Sequence, residues 1–406
     1  MTDPPADRAQ AASAADGAFG AALYRLLATS GGNLVFSPAC IAAALRMALC
    51  GARGQTATEI AAALRLQGHE ADAAGLPEHE ADAAGPRLSG PQAAADGLRQ
   101  LSAGLADLPQ DGVVFRAPNT MWVQAGMPLQ PEFTAVLREA AAVSVRDADF
   151  RRAAEAARLE INDLIEKQTE GKITDLLAPG VVDGDTRLVL VNAIYLKAAW
   201  AHPFPEQATS DAPFYPEGPG TGTPVTTAMM RLDKDLRYLR GDGYQAVVLP
   251  YAGPRLAMTI VLPDGPLDPL PAELASGLSG LPGRASRHRV SLTLPRFRQE
   301  AEFDLVSVLQ QLGISQAFDA ETADFTGITT AERLSISEVV HKAFINVDEQ
   351  GTEAAAATAI TMSRSVAHIP APPVTMIVDH PFLFTITDTT TGLPLFLGQV
   401  TDPSSR

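Results

Sequence analysis

Side chains that could assemble a catalytic or metal site are few and scattered in this sequence. Seven histidines are spread over 406 residues, and none stands near a carboxylate and a nucleophile at the spacing of a known catalytic motif. No G-x-S-x-G turn, H-E-x-x-H helix, P-loop or G-x-G-x-x-G helix start is present. One pattern does offer ligands. His69-Glu-Ala-Asp-Ala-Ala-Gly75 recurs unchanged as His79-Glu-Ala-Asp-Ala-Ala-Gly85. Imidazole with carboxylates can hold a divalent ion. An unchanged copy in an alanine-rich stretch reads instead as a duplicated, solvated, low-complexity insert over 67–92. Cys40 and Cys50 lie on one expected helix, about 15 Å apart. A disulfide needs Cα atoms within ~7 Å, so both are expected as free thiols. No metal and no cofactor is expected, and an ordinary enzyme is not the favoured reading.

The composition narrows the class further. Hydrophobic residues make up 46% of the chain, which therefore folds. Lys+Arg 31 against Asp+Glu 47 gives a net charge of −16, which disfavours nucleic acid and anionic membrane as partners. No apolar run reaches the ~18 residues of a membrane span. Met1–Gln10 is polar and lacks the parts of a secretion signal, so the expected location is cytoplasmic, with an exported form whose signal has been removed as the alternative. Five lysines against 26 arginines suggest a GC-rich, bacterial source.

The elements that must position any site follow from periodicity. Residues 1–16 are expected to be flexible, followed by a helix over Ala18–Ala28. Ser37-Pro38 opens a second helix, with Ser as N-cap and Pro at its first position, and Thr56 or Thr58 caps a third. Val114–Val123 reads as a strand, Glu155–Leu164 as a helix, and Arg187–Leu196 as a strand buried on both faces. Beyond residue 200 strands dominate: 237–239, 246–249, 256–262, 290–294, 336–340, 344–347, 382–387 and 395–400. One helix, Phe303–Leu312, interrupts them. Helices first and strands later give an α+β domain over 1–406 with large, mostly antiparallel sheets.

Residues 349–373 break these rules. Asp348-Glu-Gln-Gly351 is a charged, turn-like exit from a strand, and Thr352 to Ser365 is rich in alanine. The alanines alone suit a surface helix. At period two, one face carries Thr352, Ala354, Ala356, Thr358, Ile360 and Met362, and the other Glu353, Ala355, Ala357, Ala359, Thr361 and Ser363. That is the pattern of a strand buried on one side. Small residues near its start would let it slip between strands that are already close.

A resemblance decides between the two. Asn33-Leu-Val-Phe-Ser-Pro38, Thr169-x-Gly-Lys-Ile173, Leu190-Val-Asn-Ala-Ile-Tyr-Leu-Lys197, Leu249-Pro-Tyr251, Leu294-Pro-Arg-Phe297, His341-Lys-Ala-Phe344, Gly351-Thr-Glu-Ala-Ala-Ala-Ala-Thr358 and Asp379-His-Pro-Phe382 stand in order. From about Phe19 to Pro403 the chain resembles the serpin family of protease inhibitors. The resemblance implies the serpin fold with an exposed reactive centre loop, whose hinge is Gly351, Thr352, Glu353, Ala354, Ala355, Ala356, Ala357 and Thr358. A monomer that traps a serine protease is implied, the loop inserting as a central strand once cut. In that picture Thr352 lies at the surface of the intact protein and faces inward only after insertion, whereas Glu353 points to solvent in the inserted strand. Thirteen residues, Thr352 to Arg364, at ~3.3 Å each would span about 43 Å. About a dozen new backbone hydrogen bonds would add on the order of 10 kcal/mol.

The family's usual count from the hinge glycine puts the cut after Ser365, one residue beyond Arg364. Arg364 fits the pocket of a trypsin-like protease, so Arg364–Ser365 is the expected reactive bond. Ser365 or Met362 would instead direct the loop to chymotrypsin-, elastase- or subtilisin-like enzymes. The rival class is a non-inhibitory interaction or storage protein on the same fold. Ser37, Asn192 and His341 match a polar cluster where the central sheet must part. Glu349 and Arg296 match a charge pair at the loop's entry, packed by Trp200.

Overall fold

The computed structural model describes residues 5–66, 90–106, 108–109, 112–140, 142–267, 274, 277–278, 280–353 and 373–405. The chain begins with α1 (Pro5–Leu27), β1 (Leu34–Phe36), α2 (Pro38–Gly51), α3 (Gly54–Ala63) and α4 (Gly90–Ala106). Then follow β2 (Val114–Arg116), β3 (Asn119–Gln124), α5 (Pro131–Arg138), β4 (Ser144–Ala148), α6 (Phe150–Gln168) and β5 (Leu188–Ala199). Strands take over with β6 (Ser210–Phe214), β7 (Val225–Gly241), β8 (Tyr244–Pro250) and β9 (Leu256–Pro263). After the short α7 (Leu281–Arg284) come β10 (Ser286–Pro295), β11 (Phe297–Asp304), α8 (Val306–Gln311) and β12 (Glu338–Val347). The last strands are β13 (Gly351–Thr352), β14 (Val374–Ile377), β15 (Phe382–Asp388) and β16 (Pro394–Val400).

Two sheets organise the described residues. One runs β11-β12-β13-β5-β3-β4, with β2 also on β5. The other runs β1-β16-β15-β9-β8-β7-β10-β14, with β6 on β7. Pairing is antiparallel except for β5–β12, β3–β4 and β10–β14. This is the expected α+β architecture. β5 explains its own apolar run: Leu188, Leu190 and Ile194 enter the main core, while Val189, Val191, Ala193 and Tyr195 pack on the opposite side under α6.

α2 is buried along its whole length, which suits a sequence apolar all round. Ser37 caps it by accepting a bond from the Cys40 N–H, with Pro38 at its first position. Its one charge, Arg46, is buried and meets Asp16 of α1 at 2.5 Å. Gly97 of α4 makes room, since a Cβ there would come 2.9 Å from Arg46 Nε. Cys40 and Cys50 are free, as their spacing requires. No described helix is long and apolar enough to cross a membrane.

Several local expectations are corrected. Residues expected to be a flexible start are helical from Pro5, because proline suits a first helical turn and the alanines that follow favour helix. The strand expected over Val114–Val123 is two strands, broken at Ala117-Pro118, where proline has no N–H to donate. Phe303 ends a strand instead of starting a helix, since its ladder with β12 runs on to Asp304. Neither Thr56 nor Thr58 caps α3. The Thr56 hydroxyl accepts from the Asp324 N–H, and Thr58 donates to the Gly54 carbonyl. Residues 336–340 and 344–347 join in β12, which starts at Glu338, because β5 supplies ladder partners from Glu338 to Phe344 and β11 from Val340 to Val347. Gly90–Gln92, given to the insert, open α4.

Candidate functional site

The centre of the seven-stranded sheet holds a seam between β5 and β12. The two strands pair directly and in parallel from Val189↔Glu338 to Tyr195↔Phe344. Above that they part, and β13 fills the gap. Thr352 pairs with Val347 on one side and with Ala198 on the other, antiparallel to both strands. Gly351 opposite Ala199 has to be glycine: a Cβ would stand 2.1 Å from the Ala198 carbonyl oxygen. The first two hinge residues are therefore already a strand in the sheet.

Thr352 is correspondingly 0% exposed, which corrects its expected place at the surface. Its hydroxyl lies 2.5 Å from the Tyr251 hydroxyl, and the Tyr251 ring stacks on Trp200 at 4.5 Å. Trp200 Nε1 donates to the Asp348 carbonyl at 2.9 Å, and the Asp348 carboxylate accepts from the Gln350 and Gly351 N–H groups. Burial and these contacts clamp the turn that delivers the hinge. Glu349 is buried and receives Arg296 Nη2 at 2.6 Å, Arg296 Nε at 2.8–2.9 Å and the Thr209 hydroxyl at 2.5 Å. Burial alone would raise its carboxyl, but the bonds from Arg296 and Thr209 outweigh that and hold it below its usual value. The resemblance implied that Trp200, Glu349 and Arg296 meet, and in the structure all three hold this turn.

Glu353, expected to point to solvent in the inserted strand, is half-buried in the intact protein. It sits at φ +48°, in the left-handed region that side chains rarely adopt. Its N–H donates to the Asn346 carbonyl at 2.9 Å, and its carboxylate meets the Lys172 ammonium. The second carboxylate oxygen is buried without a partner among the described residues. Tyr195, beside it, is pushed up to about 12 by burial and by the Glu353 charge.

Lower on the seam the register sets His341 against Asn192. The Ser37 backbone N–H donates to His341 Nε2 at 2.9 Å, so Nδ1 carries the proton and donates to the Asn192 side-chain oxygen. Burial pushes this imidazole down to about 3, and it is neutral at ordinary pH. The cluster uses the Ser37 main chain, because the hydroxyl is occupied in capping α2. Burial also pushes the nearby Cys40 thiol up to about 12, so it stays protonated.

A cover lies across the seam, and the residue reading assigned no role to its contacts. Arg158 and Asn162 of α6 both donate to the Leu177 carbonyl, fixing the segment after the helix. Lys342 of β12 is buried and donates to the Thr174 carbonyl at 3.0 Å, with Glu300 and Glu302 at 3.0 and 3.3 Å. Lys172, Tyr251 and Lys342 all fell inside the quoted motifs. The signal that singles them out is alternation with residues already chosen: Lys342 follows His341, so it points to the opposite face, where the cover lies. Arg364, Ser365 and Ala354–Thr358 lie outside the described residues, as does most of the 67–92 insert.

The arrangement carries no set of nucleophile, base and oxyanion donors. It is a seam with a strand started in it. Comparison with known proteins agrees in kind. The serpin (serine protease inhibitor) family profile matches residues 14–403. A serpin-like protein of Thermococcus kodakarensis is 37% identical over 94% of this chain and 83% of its own length. The leukocyte elastase inhibitor of Sus scrofa is 34% identical over 96% of this chain and 99% of its own. The crystal structure of Serpin48, a highly specific serpin of the insect Tenebrio molitor, superposes with a TM-score of 0.77 at 29% identity, covering 97% of this chain and 98% of that one.

Proposed function

The chain belongs to the serpin family, and on that premise we propose that it inhibits serine proteases as a suicide substrate, with trypsin-like enzymes preferred. The observation that carries this reading is the seam: β5 and β12 closed against each other, with Gly351–Thr352 already threaded between their upper ends. A cut in the loop would free its N-terminal part to continue that strand. Inward hinge positions Thr352, Ala354, Ala356 and Thr358 are small enough to enter a closed sheet. The protease serine oxygen attacks the Arg364 carbonyl carbon, the Arg364–Ser365 C–N bond breaks, and the Ser365 amine leaves with a proton. An acyl-enzyme ester remains on Arg364. Insertion of the hinge would then carry that ester, and the protease with it, along the sheet by about 43 Å. The guanidinium of Arg364 suits a pocket with a carboxylate at its base.

The test is a denaturing gel of the protein mixed with trypsin, followed by mass spectrometry of the released peptide. A covalent band and a peptide starting at Ser365 are expected, and Arg364→Ala should abolish both. A peptide starting at Val366, with the variant still trapping trypsin, would overturn the bond assignment. Complete cleavage without a band would favour the non-inhibitory reading.

A further inference from the structure

The sheet that receives the far end of the loop has an outer face which the inhibitory mechanism leaves unused. Register sets Arg237 of β7 opposite Arg287 of β10, Asp235 opposite Arg289, and Arg231 opposite Thr293. On the other side of β10, β14 sets Ile377 beside Thr293. Opposed residues on neighbouring strands share a face, so these side chains form one surface. The four arginines are exposed. Ile377 is 48% exposed, one of two large apolar side chains so open among the described residues.

Like charges directly opposite each other on a sheet cost stability. Arg237 against Arg287 breaks that rule, and a broken local rule marks a candidate for function. Arg237 Nε turns to the Ala285 carbonyl at 3.1 Å, and Arg289 meets Asp233 at 2.5 Å. Arg231 and Arg287 make no hydrogen bond or ion pair among the described residues. The bias is regional: between Val225 and Arg298 stand ten Lys and Arg against six Asp and Glu, within a chain of net charge −16. β14 is also the first described element after the loop, so the face flanks whatever is seated on the loop.

We propose that the outer face of β7, β10 and β14 is an exosite for the target protease, which docks an acidic flank beside its own active-site cleft. Carboxylates of that flank would take the Arg237–Arg287 pair as a two-pronged clamp, and Ile377 would supply the apolar contact. Ile377 lies near Arg231 and about 20 Å along the strands from the Arg237–Arg287 pair, so the two contacts would mark the ends of one footprint. Arginine and exposed apolar side chains are both favoured at protein interfaces. The proposal rests on the inhibitory reading and names the surface chemistry of its partner.

The probes are an anionic and a cationic trypsin, each with its active-site serine changed to alanine so that docking is read without trapping. Binding of the anionic enzyme should be about ten-fold tighter, and the difference should collapse at about 0.5 M NaCl. Arg237→Glu with Arg287→Glu should erase the preference. Arg287→Ala alone should reduce it, and serves if the double variant fails to fold. Equal binding of both enzymes, or a preference that survives either variant, overturns the exosite. So does tight binding of a sulfated polysaccharide that leaves the two enzymes undistinguished, since the clamp would then hold a polyanion. The inhibitory reading is judged separately, by the covalent band that active trypsins form or fail to form.

Discussion

At the scale of single residues, Thr352 is where the mechanism meets the stability of the intact protein. Its hydroxyl and that of Tyr251 satisfy each other in a buried place. Tyr251→Phe should cost about 1 kcal/mol, the usual net value of one hydrogen bond. Thr352→Arg cannot keep a charge there and should drive β13 out of the seam. The emission of Trp200, read in a Trp122→Phe background, should shift because its stacking partner Tyr251 loses its neighbour. Once cut, that variant should behave as a substrate, with the covalent band lost and trypsin still active. An unchanged emission spectrum would mean that the hinge does not sit in the sheet. A second residue ties the seam to pH. Glu338, at the start of β12, is raised to about 7 by burial and then by the charges of Asp304 and Asp183. Its folded pKa lies above its unfolded one, so its contribution is full below about pH 4.3 and is lost as pH rises through 7. Glu338→Gln should therefore raise stability at pH 8 by about 1 kcal/mol after solvent screening, seen as a higher melting midpoint, and leave the midpoint unchanged at pH 4. His341 acts in the opposite sense. Its stability is full above its unfolded value near 6.5 and fades as pH falls toward 3.

At the scale of elements, the closed pairing of β5 with β12 predicts how the protein responds to a cut. A strand that completes the seam adds about a dozen backbone bonds, on the order of 10 kcal/mol. A protease that nicks the loop without being trapped should therefore raise the melting midpoint well above that of the intact chain. Equal midpoints would mean that no strand enters. The insert between α3 and α4 predicts the reverse, little effect. Deleting Gly68–Arg87 should leave folding and inhibition nearly unchanged, since loop closure depends only weakly on length. A strict requirement for added divalent metal would revive the ligand reading of the two His-Glu-x-Asp copies. The sheet elements were legible where the pattern was local. The unbroken run in β5 announced burial on both faces, whereas the period-two pattern after Gly351 falls almost wholly outside the described residues. Pairing between distant segments was not legible. Thr352 is buried only because β13 lies against both Ala198 and Val347, and no periodicity within the hinge states that. The resemblance supplied the meeting of Ser37, Asn192 and His341, but not the fact that Ser37 contributes its main chain there.

At the scale of the whole molecule, the loop is held at both ends by different sheets. β13 starts it in the seam, and β14 ends it as an edge strand held to β10 by four residue pairs. Without a cut, the loop can enter the seam only if β14 lets go. Met376 is the buried anchor of that strand, and Met376→Ala removes packing typically worth 2–5 kcal/mol. It should shorten the time for which stored protein still traps trypsin, while the cleaved form, which loses the same packing, still melts well above the intact one. A variant that keeps wild-type trapping after long warm incubation would show that the edge strand does not hold the loop. On the inhibitory reading the molecule would have a shelf life set apart from its resistance to heat. Two preparations with identical melting curves can age at different speeds, each decaying to a spent form by a first-order process indifferent to concentration. The hand of that clock is an edge of four residues.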